Sequence, residues 1–265
     1  MDLTDPLAMI VPGVHGRVLA VLARSGLPLT GRRVAELAGS SIERTRQVLR
    51  GMAEDGLVGT QRAGQAVLYE VNREHILWPA VRQLVTDADQ TVWAVKRRIS
   101  ATIESALDPD DAQEVTAALF GSVARGDSRP DSDVDVLLIT PDTLTETQVD
   151  VLVADTIRAV EVAIGNDCNV YQTSRARFDE LVREDDPMVP SWTADAAVFH
   201  GPDFRRRLRG RTRSQTDGRV IIPALRCARP TAAAESSSPA ASGEPGATAG
   251  GSGQPARTPG HRRTP

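Results

Sequence analysis

Two aspartates two residues apart, Asp133 and Asp135, stand at the start of the apolar run Val134–Thr140. This run is rich in β-branched residues and predicts a strand. Because side chains alternate along a strand, both carboxylates point to the same face. Hard oxygen ligands on one face suit Mg²⁺, which also keeps water and phosphate oxygens as ligands. The spacing predicts a magnesium site that could stabilise in-line displacement at an α-phosphate with one or two ions.

A Gly-Ser pair stands twelve residues before the aspartates, directly after a second β-prone run, Val115–Phe120. Gly121 lets the backbone turn sharply and come close to a ligand. Ser122 opens a short helical turn, whose hydroxyl and free backbone N–H groups are suited to nucleotide phosphates. Arg125 lies on the same turn and could add charge to the phosphate or brace the loop. Gly126 ends the turn.

Taken alone, an Asp-X-Asp pair or a Gly-Ser pair is also typical of solvated surface turns. Here both occur in order, the first at a strand-turn-helix and the second at a strand start. Core-type residues, Val134 and Val136, flank the carboxylates. The combination therefore favours a nucleotide and metal site over a plain surface loop.

The segment GSVARGDSRPDSDVD, residues 121–135, resembles the motif of the polymerase β-like nucleotidyltransferases, especially the minimal ones. Their pattern is Gly-Ser, Ala-Arg-Gly, a short loop and Ser-Asp-X-Asp, and each element is present at the expected spacing. The resemblance covers about residues 105–205 and implies a small mixed sheet flanked by helices. It implies transfer of a nucleoside monophosphate from a triphosphate, usually ATP, to a hydroxyl with release of pyrophosphate. Gly121 and Ser122 would bind phosphate, and Asp133 and Asp135 would bind the metal.

The sequence departs from this family at one position. A third carboxylate commonly follows on a later strand and can act as the base for the acceptor hydroxyl, but Asn169 stands there in this chain. A neutral amide is a poor base and a weaker metal ligand. Asp167, two residues earlier, shares the face of Asn169 and could take that catalytic role. The alternative is a domain that binds nucleotide and transfers slowly or not at all.

The elements that carry this motif alternate between strands and helices, which implies an α/β unit. Thr145, with Gln148 three residues on, predicts a capping box for a helix that reaches Ile164. Gly165 and Asn166 then turn the chain into a third strand, which we expect over Cys168–Gln172. A further helix is predicted over 175–183.

Residues 13–75 have the pattern of three helices and a hairpin. We expect helices at Gly13–Arg24, after a cap at Thr30, and at Ile42–Asp55, followed by two short strands around the loop 61–65. This order resembles winged helix-turn-helix regulators of transcription. The third helix presents Arg44, Arg46, Gln47 and Arg50 outward, and Arg62 lies in the hairpin loop. Such side chains can contact base edges or phosphates in a major groove.

The competing interpretation of residues 1–80 is a protein-interaction domain with a solvated polar face. Nine basic residues against eight acidic ones make this part only weakly positive, so composition does not separate the two interpretations. A helical pattern over 76–107 could connect two domains or pair with its copy in a homodimer.

Charge is distributed unevenly along the chain. Residues 81–204 carry 10 basic and 24 acidic side chains, which argues against a broad nucleic-acid surface there and suits recruitment of divalent cations. Residues 205–265 carry 12 arginines and 3 acidic residues. The Pro, Ala, Ser and Gly content towards the end predicts a disordered basic tail.

The predicted fold class is α+β. We expect a winged helix-turn-helix domain at 1–80, a connecting helix at 81–107, a small mixed-sheet nucleotidyltransferase domain at 108–205 and the disordered tail at 206–265. No apolar run is long enough to cross a bilayer, and the first residues lack the pattern of a secretory signal. Two distant cysteines, Cys168 and Cys227, favour a reduced, cytoplasmic setting.

Two hypotheses remain open from the sequence. The first is an Mg²⁺-dependent nucleotidyltransferase that moves AMP from ATP to a hydroxyl on a partner protein, a small molecule or an RNA end, coupled to DNA binding. Antitoxins of the minimal family that adenylylate a cognate toxin are one such case. The second is a DNA-binding regulator of transcription whose nucleotidyltransferase-like domain senses nucleotide without efficient transfer.

Overall fold

The N-terminal part of the chain packs three helices against a small antiparallel sheet. The computed structural model describes residues 1–206 and 208, and these belong to one compact unit. After a 3₁₀ turn at Pro6–Met9, the elements are α1 (Val14–Arg24), β1 (Leu29–Thr30), α2 (Gly31–Leu37), α3 (Ile42–Glu54), β2 (Val58–Ala63) and β3 (Ala66–Val71). The strand order is β1-β3-β2. This is the helix, strand and hairpin order predicted for a winged helix-turn-helix.

The apolar stripes of α1, α2 and α3 meet in one core with the start of β2. Buried side chains include Val18, Leu22, Val34, Leu49 and Val58. The predicted cap is confirmed, since the Thr30 hydroxyl accepts a hydrogen bond from the Arg33 N–H at 3.2 Å. The core thereby sets which face of α3 stays exposed.

The predicted hairpin loop 61–65 is wrong, because pairing continues through Ala63, which lies opposite Ala66. Only Gly64 and Gln65 form the turn, and Gly64 takes a φ of +63°. Two-residue turns with a positive φ at the first position match the twist of paired strands. Arg62 therefore lies on β2, opposite Val67, and not in a loop.

The predicted helix over 76–107 is divided into α4 (Trp78–Asp89) and α5 (Thr91–Ala106). Gln90, between them, has φ −94° and ψ 3°, outside the helical region. The apolar stripes face different cores. Val85 of α4 packs with Leu7 and Ala20, whereas Val95, Ile99 and Ile103 of α5 enter the core of the following part. One straight helix could not direct its apolar residues into both cores, and this accounts for the break at Gln90.

The remaining part is a four-stranded mixed sheet with helices on both faces. Its elements are α6 (Pro109–Glu114), β4 (Thr116–Phe120), α7 (Gly121–Arg125), β5 (Val134–Thr140), α8 (Glu146–Ile164), β6 (Cys168–Ser174), α9 (Arg175–Arg183), α10 (Met188–Asp195) and β7 (Ala197–His200). The strand order is β6-β5-β4-β7, with β5 and β6 parallel and the other pairs antiparallel. The predicted α+β class with a small mixed sheet is confirmed.

The two faces of this sheet have different partners. Val134, Val136 and Leu138 of β5 pack in the core that also holds buried residues of α5 and α8. Leu137 and Ile139 pack on the other face with Phe178 of α9 and Trp192 of α10. Asp133 and Asp135 share the face of Leu137 by strand alternation. The carboxylates therefore stand on the α9/α10 face, before its apolar cluster begins.

The predicted tail at 206–265 lies outside the described residues, apart from positions 206 and 208. The domain limits at 80, 107 and 205 stay predictions. Within residues 1–206 and 208, no helix has both the length and the apolar character needed to cross a bilayer.

Candidate functional site

Gly121 joins β4 to α7 in a conformation that other residues rarely adopt. Its φ is +67°, and a Cβ built at this position would lie 2.3 Å from Oδ2 of Asp135. Phe120 and Asp135 are paired across the antiparallel β4–β5 ladder, which brings the turn against the carboxylate. Glycine is therefore required here both by the backbone and by the space that Asp135 occupies.

The parallel β5–β6 ladder places Asn169 directly beside Asp135. Its side-chain Nδ2 donates hydrogen bonds to Oδ2 of Asp133 at 3.1 Å and to Oδ1 of Asp135 at 3.4 Å. The amide thus bridges two carboxylates that would otherwise repel each other. Asn169 therefore lies beside the two acids, at the position where the family resemblance places a third carboxylate.

Asp135 is the more enclosed of the two acids. Partial burial, joined by the negative charge of Asp133, raises the pKa of the Asp135 carboxyl. The hydrogen bond from Asn169 and the charge of Arg125 act in the opposite direction but do not cancel it. A divalent cation beside Asp135 would stabilise its ionised carboxylate.

The donor set of this site fits Mg²⁺ in its chemistry. The carboxylates of Asp133 and Asp135 are hard oxygen ligands, and Gly121, which has no Cβ, leaves room for the Asp135 carboxylate beside the turn. Within residues 1–206 and 208, no group of three or more His, Cys, Asp or Glu side chains is placed to hold a metal. A cation at this site would therefore take its remaining ligands from water and phosphate.

The two polar side chains of α7 differ in their contacts, and Ser122 is half-buried. The Ser122 hydroxyl makes no hydrogen bond to any described residue, whereas Arg125 donates to Asp195 at 2.9 Å and to Asp127 at 3.4 Å. Arg125 thereby ties α7 to the end of α10, the bracing role that the sequence left open. A phosphate-binding role for Ser122 and Arg125 stays a prediction.

Asp167 precedes β6 by one residue and is exposed. Its backbone carbonyl accepts a hydrogen bond from the Val134 N–H at 2.9 Å, which starts the pairing of β5 with β6. Among the hydrogen bonds and ion pairs of the described chain, none involves the Asp167 carboxylate. Its proposed substitution for the third carboxylate stays a prediction.

The exposed polar surface of the N-terminal part is the one predicted. Arg44, Arg46, Gln47 and Arg50 are exposed on α3, and Arg62 is exposed on β2. Arg46 and Arg50 also line an open cleft of about 460 Å³, together with residues of α2 and β3 such as Arg32 and Tyr69. Helices α2 and α3 and the β2–β3 hairpin thus border one concave surface that carries Arg32, Arg46 and Arg50.

Sequence reasoning missed the residue that holds the loop before Asp133. Asn166 is 6% exposed, and its Nδ2 donates to the carbonyl of Ser132 at 2.9 Å and, more weakly, to that of Pro130 at 3.4 Å. It also donates to the carbonyl of Met1 at 3.0 Å. The sequence marked Asn166 only as a turn residue, because its partners lie more than thirty residues away.

Sequence reasoning also missed an aromatic ring on the same face as the carboxylates. Tyr171 follows Asn169 by two positions on β6 and is 45% exposed. Strand alternation alone could have shown that Tyr171 and Asn169 share a face.

The comparisons with known proteins support this part of the chain as a nucleotidyltransferase domain. Residues 101–184 match the family model described as the nucleotidyltransferase domain, which spans α7, β5 and β6. The match supports nucleotidyl transfer in general. No curated protein matches the sequence.

Two solved structures have limited similarity to the chain. Human N-acetylserotonin methyltransferase in complex with SAM is 15% identical with a TM-score of 0.24, over 38% of this chain and 32% of that one. TrmBL2, an archaeal chromatin protein described with a novel mode of DNA binding, is 17% identical with a TM-score of 0.22, over 68% of each chain. At these TM-scores neither structure carries an argument about this protein.

Proposed function

We propose that this protein is an Mg²⁺-dependent nucleotidyltransferase that moves AMP from ATP to a hydroxyl acceptor. The observation that supports the proposal is the close approach of Gly121 to Asp135, because the turn that we propose to bind phosphate lies against the pair of carboxylates. Because Gly121 has no Cβ, Asp135 can lie directly beside the turn, so the backbone N–H groups of α7 and the acids can act on the same ligand.

In this mechanism the residues of the chain position the triphosphate and the metal, and the metal neutralises the charge of the phosphates. The backbone and hydroxyl of Ser122 bind the triphosphate, and Asp133 and Asp135 hold the metal. Mg²⁺, when bound, neutralises charge on the phosphates and on the leaving pyrophosphate. The acceptor oxygen bonds to the α-phosphorus, and the bond from that phosphorus to the bridging oxygen breaks. The hydroxyl proton passes to Asp167 in our proposal, since an amide such as Asn169 cannot accept it.

A second function has its own support in Asn169. The amide donates to both carboxylates and stands where a base would be needed, an arrangement that favours nucleotide binding over fast transfer. In this alternative the protein is a regulator that binds DNA through α3 and β2 and senses ATP at Asp133 and Asp135. Both functions predict Mg²⁺-dependent ATP binding, and only the first predicts transfer.

The N-terminal part supplies the proposed DNA contact in either case. Arg44, Arg46, Gln47 and Arg50 would enter a major groove from α3, and Arg62 would reach a neighbouring phosphate. A partner protein, a small molecule or an RNA end could supply the acceptor hydroxyl, and a toxin encoded beside this gene would make the role antitoxin-like. A homodimer, a cytoplasmic location and regulation of transcription are further parts of this proposal.

Transfer is tested with ATP labelled at the α-phosphate or at the γ-phosphate, with Mg²⁺ and candidate acceptors. The acceptors are the purified adjacent gene product, cellular RNA and a small-molecule extract. We expect label from the α-position only, release of pyrophosphate and loss of both in Asp133→Ala/Asp135→Ala. Absence of transfer by the wild type, or equal transfer by the double variant, overturns the enzymatic proposal.

Asn169→Asp distinguishes the two functions, because it restores an acid at the position of the missing base. A positioned general base contributes roughly 10²–10⁴-fold, so an enzyme limited at this position should gain at least about tenfold in transfer rate. Asn169→Ala is the control, since it removes the amide without supplying a base. The regulatory function is supported instead if the protein binds the gene's own upstream DNA in an ATP-dependent way and neither the wild type nor Asn169→Asp transfers AMP.

A further inference from the structure

The face that holds Asp133 and Asp135 continues into an exposed aromatic side chain. Tyr171 lies opposite Leu137 in the parallel ladder, two residue pairs further along than Asp135 and Asn169 and on the same face. It is 45% exposed, whereas Leu137 beside it is fully buried. With a rise of about 3.3 Å per residue, Tyr171 stands roughly 7 Å along the sheet from Asn169. The surface next to the two carboxylates therefore includes the exposed aromatic ring of Tyr171.

Buried aromatic neighbours fix the orientation of this ring. Tyr171 meets Phe120 edge-on with centroids 5.5 Å apart and an interplanar angle of 71°, and it meets Trp192 at 6.4 Å and 65°. Phe120 is 5% exposed and Trp192 is 4% exposed. Edge-to-face pairs of this kind are favourable and restrict the ring. The exposed part of Tyr171 is thus a preformed surface that needs little reorganisation to bind a ligand.

The cluster is not arranged for stability alone. The indole Nε1 of Trp192 is buried and has no hydrogen-bond partner among the described residues. Leaving such a donor unsatisfied is unfavourable. A large apolar ring left exposed beside two acids likewise gains nothing from burial until something covers it. The buried Nε1 of Trp192 is out of reach of a ligand, so the exposed part of Tyr171 is the surface of this cluster that a ligand could cover.

We propose that Tyr171 is the stacking surface for the base of the nucleoside triphosphate whose phosphates lie at Gly121 and Asp135. The inference rests on the proposed nucleotide site and extends it to the recognition of the base. A ribose separates the base from the α-phosphate, and Tyr171 lies a comparable short distance beyond the carboxylates on the same face. A purine, with two fused rings, covers more of the phenol ring than a pyrimidine does.

Stacking gives affinity without reading the edge of the base, because every base has a π-face. Tyr171 therefore favours purine nucleotides as a class and does not by itself separate ATP from GTP. The ring, and not the hydroxyl, carries the interaction, since the Tyr171 hydroxyl has no partner in the described chain. This separates a stacking role from a hydrogen-bonding role in the test below.

The experiment compares the binding of ATP and inorganic tripolyphosphate, each with Mg²⁺, by titration calorimetry on the full chain. Wild type, Tyr171→Phe, Tyr171→Ala and Trp93→Ala are measured together. Trp93 is the matched control, because it is 54% exposed on α5, which packs on the opposite face of the sheet. Circular dichroism confirms that each variant is folded.

Wild type should bind ATP at least about fivefold more tightly than tripolyphosphate, the low end expected for stacking of one base. Tyr171→Ala should remove that difference and leave tripolyphosphate affinity unchanged, while Tyr171→Phe and Trp93→Ala should behave as wild type. If ATP keeps its advantage in Tyr171→Ala, or never has one, the inference is overturned and the phosphate site stands. If neither ligand binds wild type, the proposed function itself is overturned, and the inference with it.

Discussion

At the scale of single residues, Gly121 is the position of the candidate site at which both backbone and space require glycine. Its φ of +67° is unfavourable for any side chain, and a Cβ would approach Oδ2 of Asp135 to 2.3 Å. From the sequence we expected Gly121 to allow a ligand to come close to the backbone. In the structure, the group that lies closest to this position is the carboxylate of Asp135. The absence of a side chain at Gly121 therefore allows Asp135, a proposed metal ligand, to keep its position.

Gly121→Ala should destabilise the protein by more than the backbone alone requires. Left-handed backbone accounts for roughly 1–2 kcal/mol, and displacement of Asp135 adds to it. Gly126→Ala is the matched control, because Gly126 has a φ of +75° with nothing within 4 Å of the added Cβ. Urea unfolding and Mg²⁺-dependent ATP binding measure the two effects. Equal losses in both variants would show that the contact with Asp135 has no consequence.

The ionisation of Asp135 gives a dependence on pH. Burial and the charge of Asp133 raise the folded pKa of Asp135 above its ordinary value of 3.8, so the ionised carboxylate destabilises the metal-free folded protein. Asp135→Asn should therefore increase the free energy of unfolding at neutral pH by up to about 1 kcal/mol, given the screening of a partly exposed pair. This gain should shrink as the pH falls from the folded pKa towards the unfolded one.

Asp131→Asn is the control for this titration, since it removes the same charge from an exposed position on the neighbouring loop. Urea unfolding between neutral pH and pH 4, without divalent ions, measures both variants. Addition of Mg²⁺ and ATP should reverse the order, because a ligand that binds only the folded wild type stabilises it by mass action. A gain for Asp131→Asn as large as that for Asp135→Asn would contradict the assignment.

At the scale of elements, local signals were enough where one segment contains its own stabilising contacts. The capping box that begins α8 is present as predicted, with the Gln148 N–H donating to the Thr145 hydroxyl at 3.3 Å and the Thr145 N–H donating to Gln148 Oε1 at 3.0 Å. Strand β5 has the predicted limits because its run of apolar residues enters two cores at once.

Elements that depend on distant contacts were not predictable in this way. Helix α10 has a proline at its third position and no regular apolar stripe, and it forms where Val189 and Trp192 meet residues of β4 and β5. Strand β7 has four half-buried residues and no alternation, so only its pairing with β4 defines it. The contact between Arg125 and Asp195 was not predictable from the sequence either, because these residues are seventy positions apart.

The loop before Asp133 depends on one buried amide. Asn166→Ala removes the hydrogen bonds to the Ser132, Pro130 and Met1 carbonyls and should reduce the free energy of unfolding by about 1–3 kcal/mol. Because Ser132 directly precedes Asp133, ATP binding should weaken by more than the folded fraction explains. Asn72→Ala is the control, since it loses a comparable bond to the Gly56 carbonyl at 2.9 Å in the winged helix-turn-helix part. Unchanged ATP affinity in Asn166→Ala would assign the amide to stability alone.

At the scale of the whole molecule, charge separates two kinds of surface. Residues 81–204 carry 10 basic and 24 acidic side chains, so the proposed nucleotide site lies in a part that repels the phosphates of DNA and attracts cations. Residues 1–80 carry 9 basic and 8 acidic side chains, and their exposed arginines include those of α3 and β2. A duplex bound at α3 therefore has an electrostatic reason to stay clear of the carboxylates.

The arginine-rich segment 205–265 complicates any measurement of DNA binding, because its 12 arginines against 3 acidic residues should bind phosphate without regard to sequence. Sequence-dependent binding should instead come from α3. In Arg46→Ala/Arg50→Ala, we expect affinity for the gene's own upstream duplex to fall about tenfold or more, while affinity for a scrambled duplex falls much less. Fluorescence anisotropy over a range of salt concentrations measures both duplexes.

The control for this pair is Arg177→Ala/Arg183→Ala on α9, which removes the same charge from the nucleotidyltransferase part. If the two double variants weaken both duplexes equally, only total charge matters, and the α3 surface belongs to a protein-interaction domain. A selective loss in Arg46→Ala/Arg50→Ala places recognition on α3. The slope of affinity against salt should then fall by roughly one for each phosphate contact removed, with the background from the tail unchanged.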